Sequence, residues 1–372
     1  MKNKIIVIDN SLDITGAFNS IWYTVCNLKN EIDFVFVIPS ASKLDVFLSN
    51  RNIKVYKLPF VELSRNWLRN LVYVFSLILN SYRLSRIVKE EDAGIVHSND
   101  IYNLTGIFGK LFAKYSHFTH IRRLKTSFPE FLYNQWMRIH LRYSNEIIAV
   151  SNACVSETIM NRVKVIYDPL PLGENEPAYR VKDMGSEFKI LYLANFTEGK
   201  GQQYAVESFP LVVQGSSARC VLTLVGGDFG LAKNKLFRQS LEALAVRLGV
   251  TENLVFLDRV EDVEKLIKEH DLVLNFSDSE SFSYTCLEAL YYGVPLVASD
   301  SGGPKELFEN GISGILLRKR EATEIAHSIL RLADNASLRQ QFSDAGKRYV
   351  RNKFSVQATS GKLLELYNSY PS

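Results

Sequence analysis

Short, continuous apolar runs recur along this chain, separated by longer stretches whose apolar positions follow helical spacing. The first series falls at residues 5–8, 34–38, 55–58, 95–97, 118–121, 147–150 and 163–166. A second series falls at 188–194, 221–225, 254–257, 272–276, 295–298 and 314–317. Unbroken apolar runs, rather than alternating ones, predict strands buried on both faces. Helical patterns between them predict parallel sheets covered by helices on both sides. Three prolines, a glycine and three acidic residues cluster in 168–177, which predicts a linker. The expected organisation is a first domain over 1–170, a linker over 171–187, a second domain over 188–354 and a C-terminal helix over 355–372 that crosses back to the first domain. The expected fold is α/β, with two doubly wound Rossmann-like domains facing across a cleft. In sheets of this class ligands bind beyond the C-terminal strand ends.

Composition narrows the class. The chain has 372 residues, 47% hydrophobic and 23% charged, which excludes a disordered or membrane-embedded protein. The longest apolar stretch, residues 71–79, lies between Arg69 and Arg83 and is too short to span a bilayer. It is expected as a buried helix packed on a sheet. The N-terminal apolar run is too short for a signal peptide and reads as a first buried strand. Cys26, Cys154, Cys220 and Cys286 are far apart and form no Cys-x-x-Cys, which argues against a zinc site or a disulfide framework and fits a reducing cytosol. Net charge is +4. Residues 1–170 carry 21 Lys and Arg against 14 Asp and Glu, and residues 171–372 carry 23 against 26, so the first half is basic and the second acidic. Basic groups this dispersed exclude nucleic acid as the partner.

Candidate chemistry concentrates in the second half. Glu280 lies on a Ser-rich loop and Glu288 is expected two turns into an amphipathic helix. A strand and the turn Ser301-Gly302-Gly303-Pro304 follow. Amides at a helix N-terminus suit an anion, and carboxylates suit sugar hydroxyls. Lys200 and Gly201 end a loop directly after the first strand of the second series. No Asp-x-Asp and no cluster with metal-ligand spacing occurs, so no metal and no cofactor are expected.

Glu-x7-Glu with these flanks resembles the signature of retaining, nucleotide-sugar-dependent glycosyltransferases of the GT-B architecture, family 4 (glycosyl transferases group 1, bacterial polysaccharide-biosynthesis type). The resemblance covers most of the chain, and it is specific from about 190 to 317. It implies transfer of a sugar from a UDP- or GDP-sugar to a saccharide acceptor, with Glu280 near the donor sugar and Glu288 on the nucleotide ribose. The loop 193–201 resembles the family's Gly-Arg-x-x-x-x-Lys-Gly. Lys200 matches, but Ala194 replaces the glycine and Asn195 the arginine. Arg259 is the candidate replacement cation. The family's Gly-Phe-Gly stands here as Ser281-Phe282-Ser283, with Phe282 and Ser283 offering donor-binding amides. Gly16 opens a helix after the first strand, where the family carries a Gly-rich loop near the donor phosphates. His120 resembles a catalytic histidine at a strand end, beside Lys200 and Glu280 in role. Asn99, Asp100 and Arg122 are candidates on the acceptor side.

Arg122, Arg123, Lys125, Arg138 and Arg142 are interleaved with Phe128, Phe131, Trp136 and Met137. That mixture suits a bilayer interface. It leads to the expectation of an anionic membrane surface and a lipid-linked saccharide acceptor, with the protein cytoplasmic or peripheral on the inner-membrane face. Packing of these aromatics into the first domain is the other reading. A nucleotide-sugar epimerase and a non-catalytic nucleotide-sugar-binding subunit are the competing functions.

Overall fold

The computed structural model describes residues 3–64, 66–170 and 187–370. The expected linker therefore lies outside the described residues, except for Glu187, which opens a strand. The strands are β1 (Asn3–Ile8), β2 (Ile32–Pro39), β3 (Lys54–Leu58), β4 (Ile95–Ser98), β5 (Ser116–Ile121), β6 (Glu146–Ala149) and β7 (Lys164–Val165), then β8 (Glu187–Leu193), β9 (Arg219–Val225), β10 (Leu254–Leu257), β11 (Leu272–Asn275), β12 (Leu296–Ser299) and β13 (Ile315–Leu317). Two compact units result. One is Met1–Pro171 with Phe354–Ser372, and the other is Leu172–Lys353.

The first unit holds a parallel sheet in the order β3-β2-β1-β4-β5-β6-β7. The second holds a parallel sheet in the order β10-β9-β8-β11-β12-β13. Strands β4, β11 and β12 are buried along their whole length, as unbroken apolar runs demand. In each sheet the strand order reverses once, between β1 and β4 and between β8 and β11. At such a reversal the helices leave to opposite faces and open a crevice beyond the strand ends. The topology thus singles out the loops after β1 and β4 in one unit, and after β8 and β11 in the other.

The C-terminal segment belongs to the first unit. Leu363, Leu366 and Tyr367 join a core with Ile5, Phe36 and Phe118, and the Tyr367 ring stacks on Phe118 at 5.5 Å. The helix expected over 355–370 is interrupted: a wide π-helical turn (Gln357–Gly361) precedes an α-helix over Lys362–Asn368.

Two expectations are overturned. Residues 71–79 lie in a 25-residue helix (Trp67–Glu91), but only its second half is buried, through residues such as Leu84, Ile87 and Val88. Trp67, Leu71, Phe75 and Ile78 face solvent, with Phe75 73% exposed. The reason is geometric: the helix outruns the four-residue strand β4 that it leads into, so its first half has no sheet beneath it. The basic-aromatic segment 122–142 behaves in the opposite way. Tyr133, Trp136 and Met137 are buried, Phe128 packs edge-on against Trp136 at 5.3 Å, and Arg122 is buried. Phe131 alone among its large apolar side chains is strongly exposed. Packing into the unit, not a bilayer, accounts for this segment.

Candidate functional site

The second unit assembles its site from the loops after β8 and β11. Tyr192, at the end of β8, is buried, and its hydroxyl donates to the Lys200 carbonyl at 2.6 Å while accepting from the Phe276 amide at 2.7 Å. One phenol therefore ties the two loops together. Gly201 has φ +79, and a Cβ there would sit 2.1 Å from the Phe276 carbonyl oxygen, so only glycine permits this approach. Gln202, first residue of the helix Gln202–Gly215, donates to the carbonyls of Ala194 and Asn195 at 3.1 and 3.0 Å. Fixed in this way, Lys200 places its Nζ 2.6 Å from Glu280 Oε1. The lysine is 36% exposed and the glutamate 17%, so the pair meets solvent on one side.

Glu280 is held as firmly. Its amide donates to the Ser301 carbonyl at 2.9 Å, its carbonyl accepts from the Gly303 amide at 2.7 Å, and Ser277 Oγ donates to its carboxylate at 3.0 Å. A Cβ on Gly303 would lie 2.4 Å from the Ser281 carbonyl oxygen, which is why the Gly-Gly turn approaches this loop. Ser283 adopts φ +91, a region that L side chains rarely enter. Its Oγ accepts from the Cys286 amide at 3.4 Å and from Asn275 Nδ2 at 3.1 Å, and so caps the helix Tyr284–Tyr292. The Phe282 side chain is buried, which leaves only its backbone for a ligand. Glu288 lies in the second turn of that helix, closer to the start than the sequence reading placed it. Among the described residues its carboxyl has no hydrogen-bond or ion-pair partner, and withdrawal from water pushes it up to about 7.

Asn195, standing where a cation was expected, accepts from the Gly227 amide through Oδ1 at 3.1 Å. It joins the β8 loop to the Gly-Gly turn after β9. Arg259 is exposed, and its Cβ lies 3.8 Å from where a Gly227 Cβ would stand, so the arginine borders the same turn. Sequence reasoning missed Tyr192, Gln202 and Arg320. Arg320 donates to the Ser277 carbonyl at 3.0 Å and pairs with Asp278 at 3.3 Å. A cation three residues past β13 was the available signal for it.

In the first unit the loops after β1, β4 and β5 also gather polar residues, but these bond to one another. Asp9 accepts from Asn99 Nδ2 at 2.5 Å, and Asn99 Oδ1 accepts from Arg122 Nε at 2.7 Å. Arg122 Nη1 reaches both Ser20 and the buried Asp168. Arg122, expected on the acceptor side, is thus buried within this network. Asp100 is buried and raised to about 6 by its withdrawal from water, which Arg123 at 3.3 Å only partly offsets. Gly16 opens the helix Gly16–Leu28, capped by Thr15, and a Cβ there would meet nothing within 4 Å. His120 is buried, lies against His97 at 5.5 Å, and among the described residues has no hydrogen-bond partner for either ring nitrogen. Burial holds it neutral, far below the usual histidine range.

A cavity of about 330 Å³ lies in this unit beside Asn10, Asn80, Asn103 and Arg123, with walls that include Phe60, Leu77, Leu104 and Trp136. Among the described residues, Tyr73 Oη and Asn80 Oδ1, on two of its lining residues, are buried without hydrogen-bond partners. No local motif in the sequence announces this cavity, because its walls come from five separate stretches of chain.

Residues 180–349 match the family Glycosyl transferases group 1. The N-acetyl-alpha-D-glucosaminyl L-malate synthase of Bacillus anthracis is 24% identical over 249 residues, 63% of this chain and 62% of that protein. The capsular polysaccharide biosynthesis glycosyltransferase CapM of Staphylococcus aureus is 25% identical over 267 residues, 67% of this chain and 68% of that protein. The chain thus spans a little under two thirds of the Bacillus relative. The crystal structure of Anabaena Alr3699/HepE in complex with UDP and glucose superposes with a TM-score of 0.80, at 19% identity, over 99% of this chain and 100% of that one. The loops that hold Lys200, Glu280 and Glu288 lie inside the region that matches Glycosyl transferases group 1, and the two parallel sheets have the fold of the GT-B glycosyltransferase structures.

Proposed function

We propose that the protein is a retaining, metal-independent glycosyltransferase. It moves a sugar from a UDP- or GDP-sugar to a saccharide acceptor, carried on a lipid, in the building of a surface polysaccharide. The observation that carries this reading is the Lys200–Glu280 pair at 2.6 Å, fixed at the strand-order reversal of its sheet. Lys200 neutralises the diphosphate as the glycosidic C–O bond breaks and charge gathers on the leaving oxygen. Arg259 adds the second positive charge that Asn195 does not supply. Amides at the N-terminus of the helix Tyr284–Tyr292 extend the same positive field. Glu280 faces the sugar and orients it through its hydroxyls. Glu288, ionised, takes the ribose hydroxyls. The acceptor oxygen attacks the anomeric carbon on the face the diphosphate leaves, and the departing phosphate oxygen takes the acceptor proton. A UDP complex and a capsule enzyme among the similar proteins support this choice of donor and acceptor class.

The engaged Asn195 favours a second reading, a nucleotide-sugar-binding subunit without catalysis. One experiment separates the two. Nucleoside diphosphate release is measured from a panel of UDP- and GDP-sugars with membrane lipid extract as acceptor and EDTA present. Extract-dependent release from one donor, lost in Lys200→Ala and in Glu280→Ala, establishes the transferase. Diphosphate binding without release from any donor establishes the binding subunit.

A further inference from the structure

The first half of the helix Trp67–Glu91 carries more exposed apolar side chains than a solvated surface tolerates. At 100° per residue, Leu68, Leu71, Val72, Phe75, Ile78 and Leu79 fall on one face, and each is about half exposed or more. Tyr82 continues that face and packs edge-on against Phe112 of the next helical segment at 5.7 Å, beside Leu111, which is 75% exposed. The stripe therefore widens into a patch rather than ending at the helix edge. Contiguous apolar surface of this kind marks a site of association.

Charge identifies the partner. From residue 66 to 89 the chain contains Arg69, Arg83, Arg86 and Lys89 and no acidic residue. Arg86 and Lys89 continue the apolar face at its C-terminal end, Arg83 borders it, and all three are exposed. Glu90, the first acid beyond them, is engaged by Lys54 at 3.7 Å and by the Tyr56 hydroxyl at 2.8 Å. An apolar ridge with cations at one end that are unpaired among the described residues matches the layered chemistry of an anionic bilayer, in which headgroup charge lies beside acyl chain. A second copy of this chain would bring the same cations together in a parallel pairing. The helix is long and apolar enough to cross a membrane by length and composition. Its second half is nevertheless fixed in the core through Leu84, Ile87 and Val88, so it lies on the surface and does not span.

We propose that the outer face of residues 68–89 docks the protein on an anionic lipid surface, with the apolar ridge entering the interface and Arg83, Arg86 and Lys89 binding headgroups. The inner side of the same helix contributes Tyr73, Leu77 and Asn80 to the cavity described above. Docking thus brings that cavity to the depth at which a lipid-linked molecule presents its head. The docking itself does not depend on the transferase reading.

The test uses the full chain and no activity assay. Flotation is measured with vesicles of phosphatidylcholine alone and with vesicles that also contain phosphatidylglycerol, at low and high salt. Wild type is expected to float with the anionic vesicles and to release as salt rises. The triple variant L71S/F75S/I78S is expected to lose binding about 100-fold or more, and R83E/R86E about tenfold or more, with the salt dependence gone. These side chains are exposed, so unchanged thermal unfolding of both variants is the control for folding. L236S/V246S, which alters exposed apolar residues of the second unit, should float as wild type does. Wild-type flotation by L71S/F75S/I78S overturns the proposal. So does a wild type that ignores both vesicle types but sediments as a dimer that this variant abolishes, which would assign the ridge to a second copy. Resistance of the bound protein to alkaline extraction would assign it to a span instead.

Discussion

Both units gather polar groups where their strand order reverses, and the two gatherings differ in what they leave available. In the first unit Asp9, Asn99, Arg122, Ser20 and Asp168 form a closed network, buried throughout. In the second unit the Lys200–Glu280 pair stays open to solvent on one side, Glu288 has no partner among the described residues, and Arg259 is exposed. A closed network contributes to the rigidity of the frame. An open one keeps hydrogen-bonding capacity and charge for a ligand. Asn99 and Arg122 are therefore tests of folding, and Lys200, Glu280 and Glu288 are tests of binding and chemistry.

The largest contrast is between Arg122→Met and Lys200→Ala. Arg122→Met leaves the buried Asp168 without its cation and should cost about 3–5 kcal/mol in urea unfolding. Lys200→Ala breaks a partly exposed pair and should cost about 1 kcal/mol or less in stability. It should lower diphosphate release about 100- to 1000-fold. Equal stability losses in the two variants would erase the distinction between closed and open networks.

Acid should divide the units next. Burial lowers His97 to about 3 and His140 to about 4, and holds His117 and His120 well below their ordinary 6.5. The unfolded chain therefore binds more protons below pH 6.5, and stability falls as pH drops from there towards 4. One such group contributes about 1.4 kcal/mol per pH unit within its window. A melting temperature that stays flat from pH 7 to pH 5 would contradict this account of the first unit.

Glu288 has the opposite sign. Its carboxyl, raised to about 7 from 4.5, keeps its proton longer in the folded state, so its contribution is present below 4.5 and is lost as pH rises to 7. Glu288→Gln should gain about 1 kcal/mol in stability at pH 8 by removing a buried charge. It should also weaken nucleoside diphosphate binding about tenfold and remove the tightening of binding expected between pH 6 and pH 8. Titration calorimetry across that range checks both effects. The smallest expected change is Ser283→Gly, which relieves φ +91 at the cost of a helix cap and should gain about 1 kcal/mol net, read from chemical denaturation.

The legible parts of the molecule were those with a period or a spacing. Strands buried on both faces appear as continuous apolar runs, so β1 to β6 and β8 to β13 stand where the pattern placed them, and β7 shortens to two residues. Loops at strand ends carried Lys200, Asn195 and Glu280 to the reversal of the second sheet because strand, loop and helix follow at once in sequence. Tyr192 was not legible as a site residue. An aromatic inside an apolar strand gives no sign that its hydroxyl will bridge two loops.

Composition misled where burial had to be guessed from it. Residues 71–79 and residues 122–142 are both rich in large apolar side chains, yet those of the first stretch lie largely in solvent and Tyr133, Trp136 and Met137 of the second are buried. Local sequence determined that residues 71–79 and 130–142 are helical, because hydrogen bonds within a helix close over four residues and need nothing distant. It also determined the parallel sheets and the positions of the second unit's loops. Which face of each helix is covered depends on what the chain supplies opposite it: strand length, the return of Lys362–Asn368 into the first core, and the pairing of Arg122 with Asp168, 46 residues away. Those contacts join parts of the chain with no local relation, and so only the tertiary structure decided which charges are locked inside and which remain exposed.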